Sequence, residues 1–286
     1  MKIKDILHNG KLNLSLEVFP PKEWLKVDDT LRVVDQMALL RPSFISVTYG
    51  AAGGTKAYTK KIAEHIQNES KIPALAHLTC VGASKEQADE LLTAFRQSSV
   101  TNILALRGDI PSDSEYPKDF IHASDLIRYI KDHGDFCVGG ACYPEGHPEA
   151  ASIDRDMDML KVKEDSGVDF FTTQMFFDNN IFYCFLNKLY QKQINTPVIA
   201  GVMPITAASQ VKRVMKLSGT VVPPRFRAIV EKFGDNPAAM QQAGIVYAAE
   251  QIIDLYANGV QNVHVYTMNK PQVATALKNN LQEILK

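Results

Sequence analysis

Leu14-Ser15-Leu16-Glu17-Val18-Phe19-Pro20-Pro21 reads as a strand that carries one carboxylate and stops at a double proline. A strand alternates its faces, so Leu14, Leu16 and Val18 share one side, and Ser15, Glu17 and Phe19 the other. Both chain neighbours of Glu17 are apolar. An ionised group in such surroundings loses hydration and holds its proton more firmly, which is how a carboxyl becomes a general acid. An edge strand with Glu17 in water is the plain alternative. Beyond the prolines, residues 27–40 carry a helical pattern and 44–48 a second apolar run, a strand–helix–strand unit.

The unit recurs. Apolar, β-branched runs stand at 14–19, 44–48, 74–79, 102–106, 137–143, 169–176, 197–203 and 262–266. Helical patterns stand between them at 27–40, 59–69, 85–98, 123–133, 153–166, 179–191 and 236–258, the last opened by Pro237 and closed by Gly259. Several strands are apolar almost throughout, as parallel strands covered on both faces must be. Eight such units predict an α/β fold, a (β/α)8 TIM barrel in a single domain over 1–286, with a doubly wound open sheet as the alternative. The interval before the last strand is about twice the usual length and has room for extra helices near 207–217 and 224–233.

Composition narrows the function. A chain of 286 residues, 45% hydrophobic and 22% charged, can bury a large core. A formal net charge of −1 argues against nucleic acid or an anionic membrane as the partner. Cys80, Cys137, Cys142 and Cys184 show no CxxC spacing and read as reduced thiols. Met1-Lys2-Ile3-Lys4-Asp5 lacks an apolar signal core, and a cytoplasmic protein is expected.

In a barrel of this kind the site is built at the C-terminal strand ends. Those positions carry Glu17, Thr48-Tyr49-Gly50, His77, Arg107-Gly108-Asp109, Tyr143 to Glu149, Gln174, Thr267 and Lys270. Each has a structural explanation on its own; polar groups at nearly every strand end on one face point to a site. No GxGxxG is present, and Gly50-Ala51-Ala52-Gly53-Gly54-Thr55 lacks the Walker lysine. No HExxH or EF-hand loop occurs, and His77 with His147 has no metal-ligand spacing, so no metal is expected.

Five stretches in one order extend the reading: Ser15-Leu16-Glu17-Val18-Phe19-Pro20-Pro21, Ser46-Val47-Thr48-Tyr49-Gly50, Ala76-His77-Leu78-Thr79-Cys80, Leu104-Ala105-Leu106-Arg107-Gly108-Asp109, and Tyr143-Pro144-Glu145-Gly146-His147-Pro148-Glu149-Ala150. With them the chain resembles the methylenetetrahydrofolate reductase family in its bacterial form, over essentially its whole length. The resemblance implies an FAD-dependent barrel without a Rossmann domain. It further implies NADH or NADPH as reductant and ping-pong reduction of 5,10-methylenetetrahydrofolate to 5-methyltetrahydrofolate, in one-carbon metabolism supplying methionine synthesis. On that pattern Glu17 is the catalytic acid and Asp109 the aspartate close to flavin and folate. Thr48, His77, Arg107, Gly108, Asp109, Tyr143, His147, Ala150, Asp156 and Lys163 fall on flavin-binding positions, and Gln174, Asp109 and Lys270 on substrate-binding ones. A homo-oligomer is compatible with the resemblance.

The chain also departs from the pattern. Ala208 stands where an aromatic stacks on the substrates, and Lys270 where an arginine faces the folate tail, keeping the charge without the fork. Other flavin barrel oxidoreductases, a folate reductase fed by a protein donor, and a non-catalytic folate- or flavin-binding subunit are the competing readings.

Overall fold

The apolar runs form eight strands in the computed structural model, which describes residues 1–49, 56–110 and 117–286. They are β1 (Asn13–Val18), β2 (Ile45–Val47), β3 (Ala74–Thr79), β4 (Asn102–Leu106), β5 (Cys137–Cys142), β6 (Phe170–Thr173), β7 (Val198–Val202) and β8 (Asn262–Tyr266). Neighbours run parallel in chain order, and the sheet closes where β1 meets β8, from Asn13 opposite Asn262 to Glu17 opposite Tyr266. That closure excludes the open sheet. The glycine-rich residues 50–55 lie outside the described residues.

Eleven helices accompany the strands among the described residues. Six follow the first six strands: α2 (Val27–Ala38), α3 (Lys56–Asn68), α4 (Lys85–Gln97), α5 (Ala123–Asp132), α6 (Ile153–Asp165) and α7 (Asn179–Gln191). The long interval after β7 holds three, α8 (Ala208–Ser218), α9 (Pro224–Phe233) and α10 (Pro237–Ala257). Two were not foreseen: α1 (Ile3–Leu7), which at five residues is too short to show a period, and α11 (Pro271–Leu281), opened by its N1 proline. β6 is also shorter than the run 169–176, because Gln174 still pairs with the Cys142 carbonyl of β5 while Phe176 leaves the sheet to stack on Phe182.

Alternation divides the apolar residues between two cores. Leu16, Val18, Ile45 and Val47 face outward and pack with the helices. Phe44, Leu75, Leu104, Phe170 and Ile199 fill the lower barrel, where Ile3, Ile6 and Leu7 of α1 close the N-terminal end. β5 leaves a gap for one of these rings: a Cβ on Gly139 would stand 2.5 Å from Phe170. A third cluster, with Phe177, Met203, Ile205, Val214, Phe226 and Met240, belongs to the excursion after β7. There α10 comes so close to the β7–α8 loop that a Cβ on Gly244 would meet the Ile205 carbonyl at 1.6 Å. All four cysteines are free thiols. Among the described residues no helix is long and apolar enough to cross a membrane.

Candidate active site

Glu17 lies near the C-terminal end of β1, opposite Ser46 on one side and Tyr266 on the other. Its side chain is 17% exposed. Leu16 and Val18, the apolar neighbours in sequence, turn to the outer core, so the surroundings inferred from them require correction. Around the carboxylate the barrel wall is polar: Ser46 Oγ donates to Oε2 over 3.4 Å, with His77 Nε2 at 3.7 Å and His264 Nε2 at 3.9 Å. The edge-strand alternative fails as well, because both edges of β1 are paired.

His77 sits one turn of the pleat deeper than a strand end, 6% exposed. Burial pushes its imidazole down to about 4, with Glu17 pulling upward and His264 adding to the fall. It is neutral at ordinary pH, and its buried Nε2 has no hydrogen-bond partner. Thr172 Oγ1, a second buried polar atom, is also unpartnered. Such atoms normally have a partner, so both fit the polar edge of a bound molecule or ordered water.

A second group of predicted residues gathers over β4 and β5. Arg107 donates both ends of its guanidinium to Glu149, at 2.6 and 2.8 Å. Gly108 follows with φ +85, and a Cβ there would stand 3.0 Å from Thr79. Asp109 is exposed beyond it. Tyr143 meets His147 edge-on at 4.6 Å, and the His147 backbone N–H donates to Asp156 at 3.0 Å. Burial raises the Asp156 carboxyl and the Tyr143 phenol, and it lowers the His147 imidazole. Lys163, two turns along α6 from Asp156, donates to the Ala141 carbonyl at 2.7 Å, and desolvation lowers its amine. Ala150 closes the turn on the His147 carbonyl.

The remaining predicted residues stay apart from these groups. Thr48 joins β1 to α3, its N–H on Val18 and its carbonyl accepting from Thr59. Gln174 folds back so that its Oε1 accepts from the Met175 N–H. Lys270 reaches from the β8 loop to Thr206 Oγ1 at 2.9 Å, tying it to the excursion. Ala208 opens α8 close to the end of α9, where a Cβ on Gly234 would stand 3.1 Å from its own. Tyr266, packed against the same excursion, lies edge-on to His264 at 5.4 Å, its hydroxyl donating to the Thr173 carbonyl. Gly201 makes room for this ring, since a Cβ there would meet it at 2.7 Å.

A family model for methylenetetrahydrofolate reductase matches residues 2–282. The chain belongs to the methylenetetrahydrofolate reductase family. It is 37% identical over 279 residues to methylenetetrahydrofolate reductase 1 of Schizosaccharomyces pombe, covering 94% of this chain and 46% of that protein. It is 32% identical over 272 residues to the 5,10-methylenetetrahydrofolate reductase of Pectobacterium carotovorum, covering 95% and 91%. The chain thus spans about half the length of the yeast relative and nearly all of the bacterial one. A solved structure from Clostridium thermocellum, an uncharacterised protein that binds two copies of 5-methyl-5,6,7,8-tetrahydrofolic acid, shares the fold at a TM-score of 0.68. It is 14% identical, covering 99% of this chain and 100% of that one.

Ser15, Ser46, Thr172, His264 and Tyr266 also line the barrel interior, and the sequence patterns alone did not single them out as site residues. The signal was parity. Ser15 with Glu17, and His264 with Tyr266, occupy the same face of their strands by alternation. The Glu149 partner of Arg107 left no such trace, because it comes from a loop. Among the described residues no group of three or more His, Cys, Asp and Glu side chains is placed to hold a metal ion.

Proposed function

We propose that this chain reduces 5,10-methylenetetrahydrofolate to 5-methyltetrahydrofolate on FAD, with a nicotinamide dinucleotide as electron source and the two ligands taking turns at the barrel mouth. The observation that carries the reading is Glu17: a carboxyl at the mouth of a family barrel, partly open to solvent and held by polar neighbours.

The residues present fit a flavin dinucleotide. The unpartnered His77 Nε2 and Thr172 Oγ1 offer polar contacts to a ring edge. Arg107, its fork already matched to a carboxylate, suits an anionic oxygen pair, and half-buried Lys163 adds a second cation. Gly108 keeps the backbone there clear of a side chain. Thr48, Tyr143, His147, Ala150 and Asp156 complete the binding set. When bound, the flavin supplies the hydride chemistry.

The protein's own task is proton management. The methylene bridge of the substrate is a closed ring and a poor hydride acceptor. Glu17 delivers a proton to its aryl-amine nitrogen, and the ring opens to an iminium cation. Asp109, exposed on the β4 loop, stabilises that positive charge; Gln174 and Lys270 orient the folate. Tyr266 supports a stacking role in place of the aromatic missing at Ala208.

The test is optical. The purified protein is expected to be yellow, to bleach with NADH or NADPH, and to regain its colour on adding methylenetetrahydrofolate. A colourless protein that binds no FAD removes the flavin reading. Bleaching without reoxidation by the folate removes the reductase reading.

A further inference from the structure

Below Glu17 a line of buried polar side chains crosses from β1 to β8. His264 is 1% exposed, Ser15 1% and Ser46 0%. The His264 ring lies flat against Phe44 at 5.4 Å and edge-on to Tyr266, which fixes its plane. Its Nδ1 is 2.8 Å from Ser15 Oγ, and the Ser15 hydroxyl donates to the Val263 carbonyl at 3.1 Å. A hydroxyl has one proton to give; with the Ser15 proton assigned to the Val263 carbonyl, Nδ1 is assigned a proton that it donates to Ser15. On the other side Nε2 is 2.9 Å from Ser46 Oγ, which stands 3.4 Å from Glu17 Oε2.

Two placements of one proton satisfy every partner in this line without moving a heavy atom. In one, His264 Nε2–H donates to Ser46 Oγ, and the Ser46 hydroxyl donates to the Glu17 carboxylate. In the other, the Glu17 carboxyl donates to Ser46 Oγ, and the Ser46 hydroxyl donates to the Nε2 lone pair. Passing from the second to the first breaks the Glu17 O–H bond and the old Ser46 O–H bond. It forms a new Ser46 O–H bond and a His264 N–H bond, and no electrons change owner.

From this arrangement we infer that His264, acting through Ser46, is a positioning residue that stores and returns the proton Glu17 delivers. The inference rests on the reading of Glu17 as the acid. Three titratable groups face His264 from the packed strands: Glu17, His77 and Tyr266. The imidazole of His77 is 3.7 Å from Glu17, makes no hydrogen bond to it and is neutral at ordinary pH. Tyr266 gives its hydroxyl proton to the Thr173 carbonyl. Glu17 alone is joined to His264 by hydrogen bonds.

The test uses the whole protein labelled with 15N-histidine, with Ser46→Ala, His264→Gln and Glu17→Gln as variants. In the wild type the His264 Nε2 signal is expected to respond to pH together with Glu17, and both Glu17→Gln and Ser46→Ala shift that response. Identical His264 titrations in the three proteins overturn the proposal. In single turnovers, folate reduction is expected to fall about tenfold to a hundredfold in Ser46→Ala and His264→Gln, while flavin reduction by nicotinamide stays within about twofold. The solvent proton inventory, curved when two protons move together, becomes linear in Ser46→Ala. Equal loss in both half-reactions, or an unchanged inventory, assigns the two residues a structural role. His264→Gln, which keeps a donor and an acceptor, stands in for Ser46→Ala if thermal melts show the latter misfolded. Full folate reduction by Glu17→Gln instead refutes the underlying role of Glu17, while the His264 signal still reports whether the two groups share a proton.

Discussion

A carboxyl that serves as acid must reach the substrate and be reloaded, and Glu17, 17% exposed over a polar wall, meets both demands. Replacing it with glutamine keeps the shape and removes the proton. Glu17→Gln is expected to lose folate reduction by about a hundred to ten-thousand-fold while nicotinamide oxidation is retained. Rapid mixing of each half-reaction checks this, and equal losses in both make Glu17 structural. The neighbouring His77 has a consequence for stability. Its folded value, about 4, lies below the ordinary 6.5, so the unfolded chain takes up a proton that the folded chain refuses. The contribution is complete above about pH 6.5 and is lost as the pH falls through about 4, to a limit of about 3 kcal/mol. Urea unfolding of wild type and His77→Asn at about pH 7 and about pH 4 isolates it, because the shifts at Asp156 and His147 are common to both proteins. The wild type is expected to lose more stability on acidification; parallel losses refute the assignment.

At the scale of elements, the excursion after β7 includes one close contact between backbones. Gly244 lies in the middle of α10, where alanine is preferred by about 1 kcal/mol. Glycine is needed because the Ile205 carbonyl occupies the space a Cβ would take, at 1.6 Å. Gly244→Ala is therefore expected to destabilise, by about 1–3 kcal/mol, against the helix preference. At roughly 2–4 °C per kcal/mol for a domain of this size, calorimetry resolves the change. A neutral or stabilised variant means that α10 slides away at no cost. Thr206, whose hydroxyl holds Lys270, belongs to the same loop. A shift of α10 is thus carried to the face where the folate is proposed to lie.

For the whole molecule, the barrel separates stability from chemistry along its axis. The lower interior holds an apolar cluster plugged by α1 over a floor of buried asparagines: the Ile3 N–H donates to Asn102 Oδ1 at 2.8 Å and Asn13 Nδ2 to Asn262 Oδ1 at 2.9 Å. The upper interior is polar, and Glu17 reaches solvent from it. Ile6 is 5% exposed in the plug, and Ile6→Ala is expected to cost about 2–5 kcal/mol through the cavity it leaves. Content of the proposed flavin and the proposed turnover at permissive temperature are expected to stay near wild type, since the candidate site lies at the other end. A melt beside an activity assay tests both, and loss of bound cofactor would mean the two ends are coupled.

What the sequence determined by itself was what repeats along the chain: eight strand patterns, the helices between them, the long interval before the last strand, and five motifs in register. These are local or nearest-neighbour properties, written in hydrophobic period and residue order. Closure of the sheet, the plug and the surroundings of Glu17 were decided by the tertiary structure. Leu16 and Val18 flank Glu17 in the chain, yet they face the helices. Ser46 and His264, the residues beside its carboxylate, come from β2 and β8. Pairing of strands far apart in sequence creates that environment, and a carboxyl answers to the groups that surround it in space.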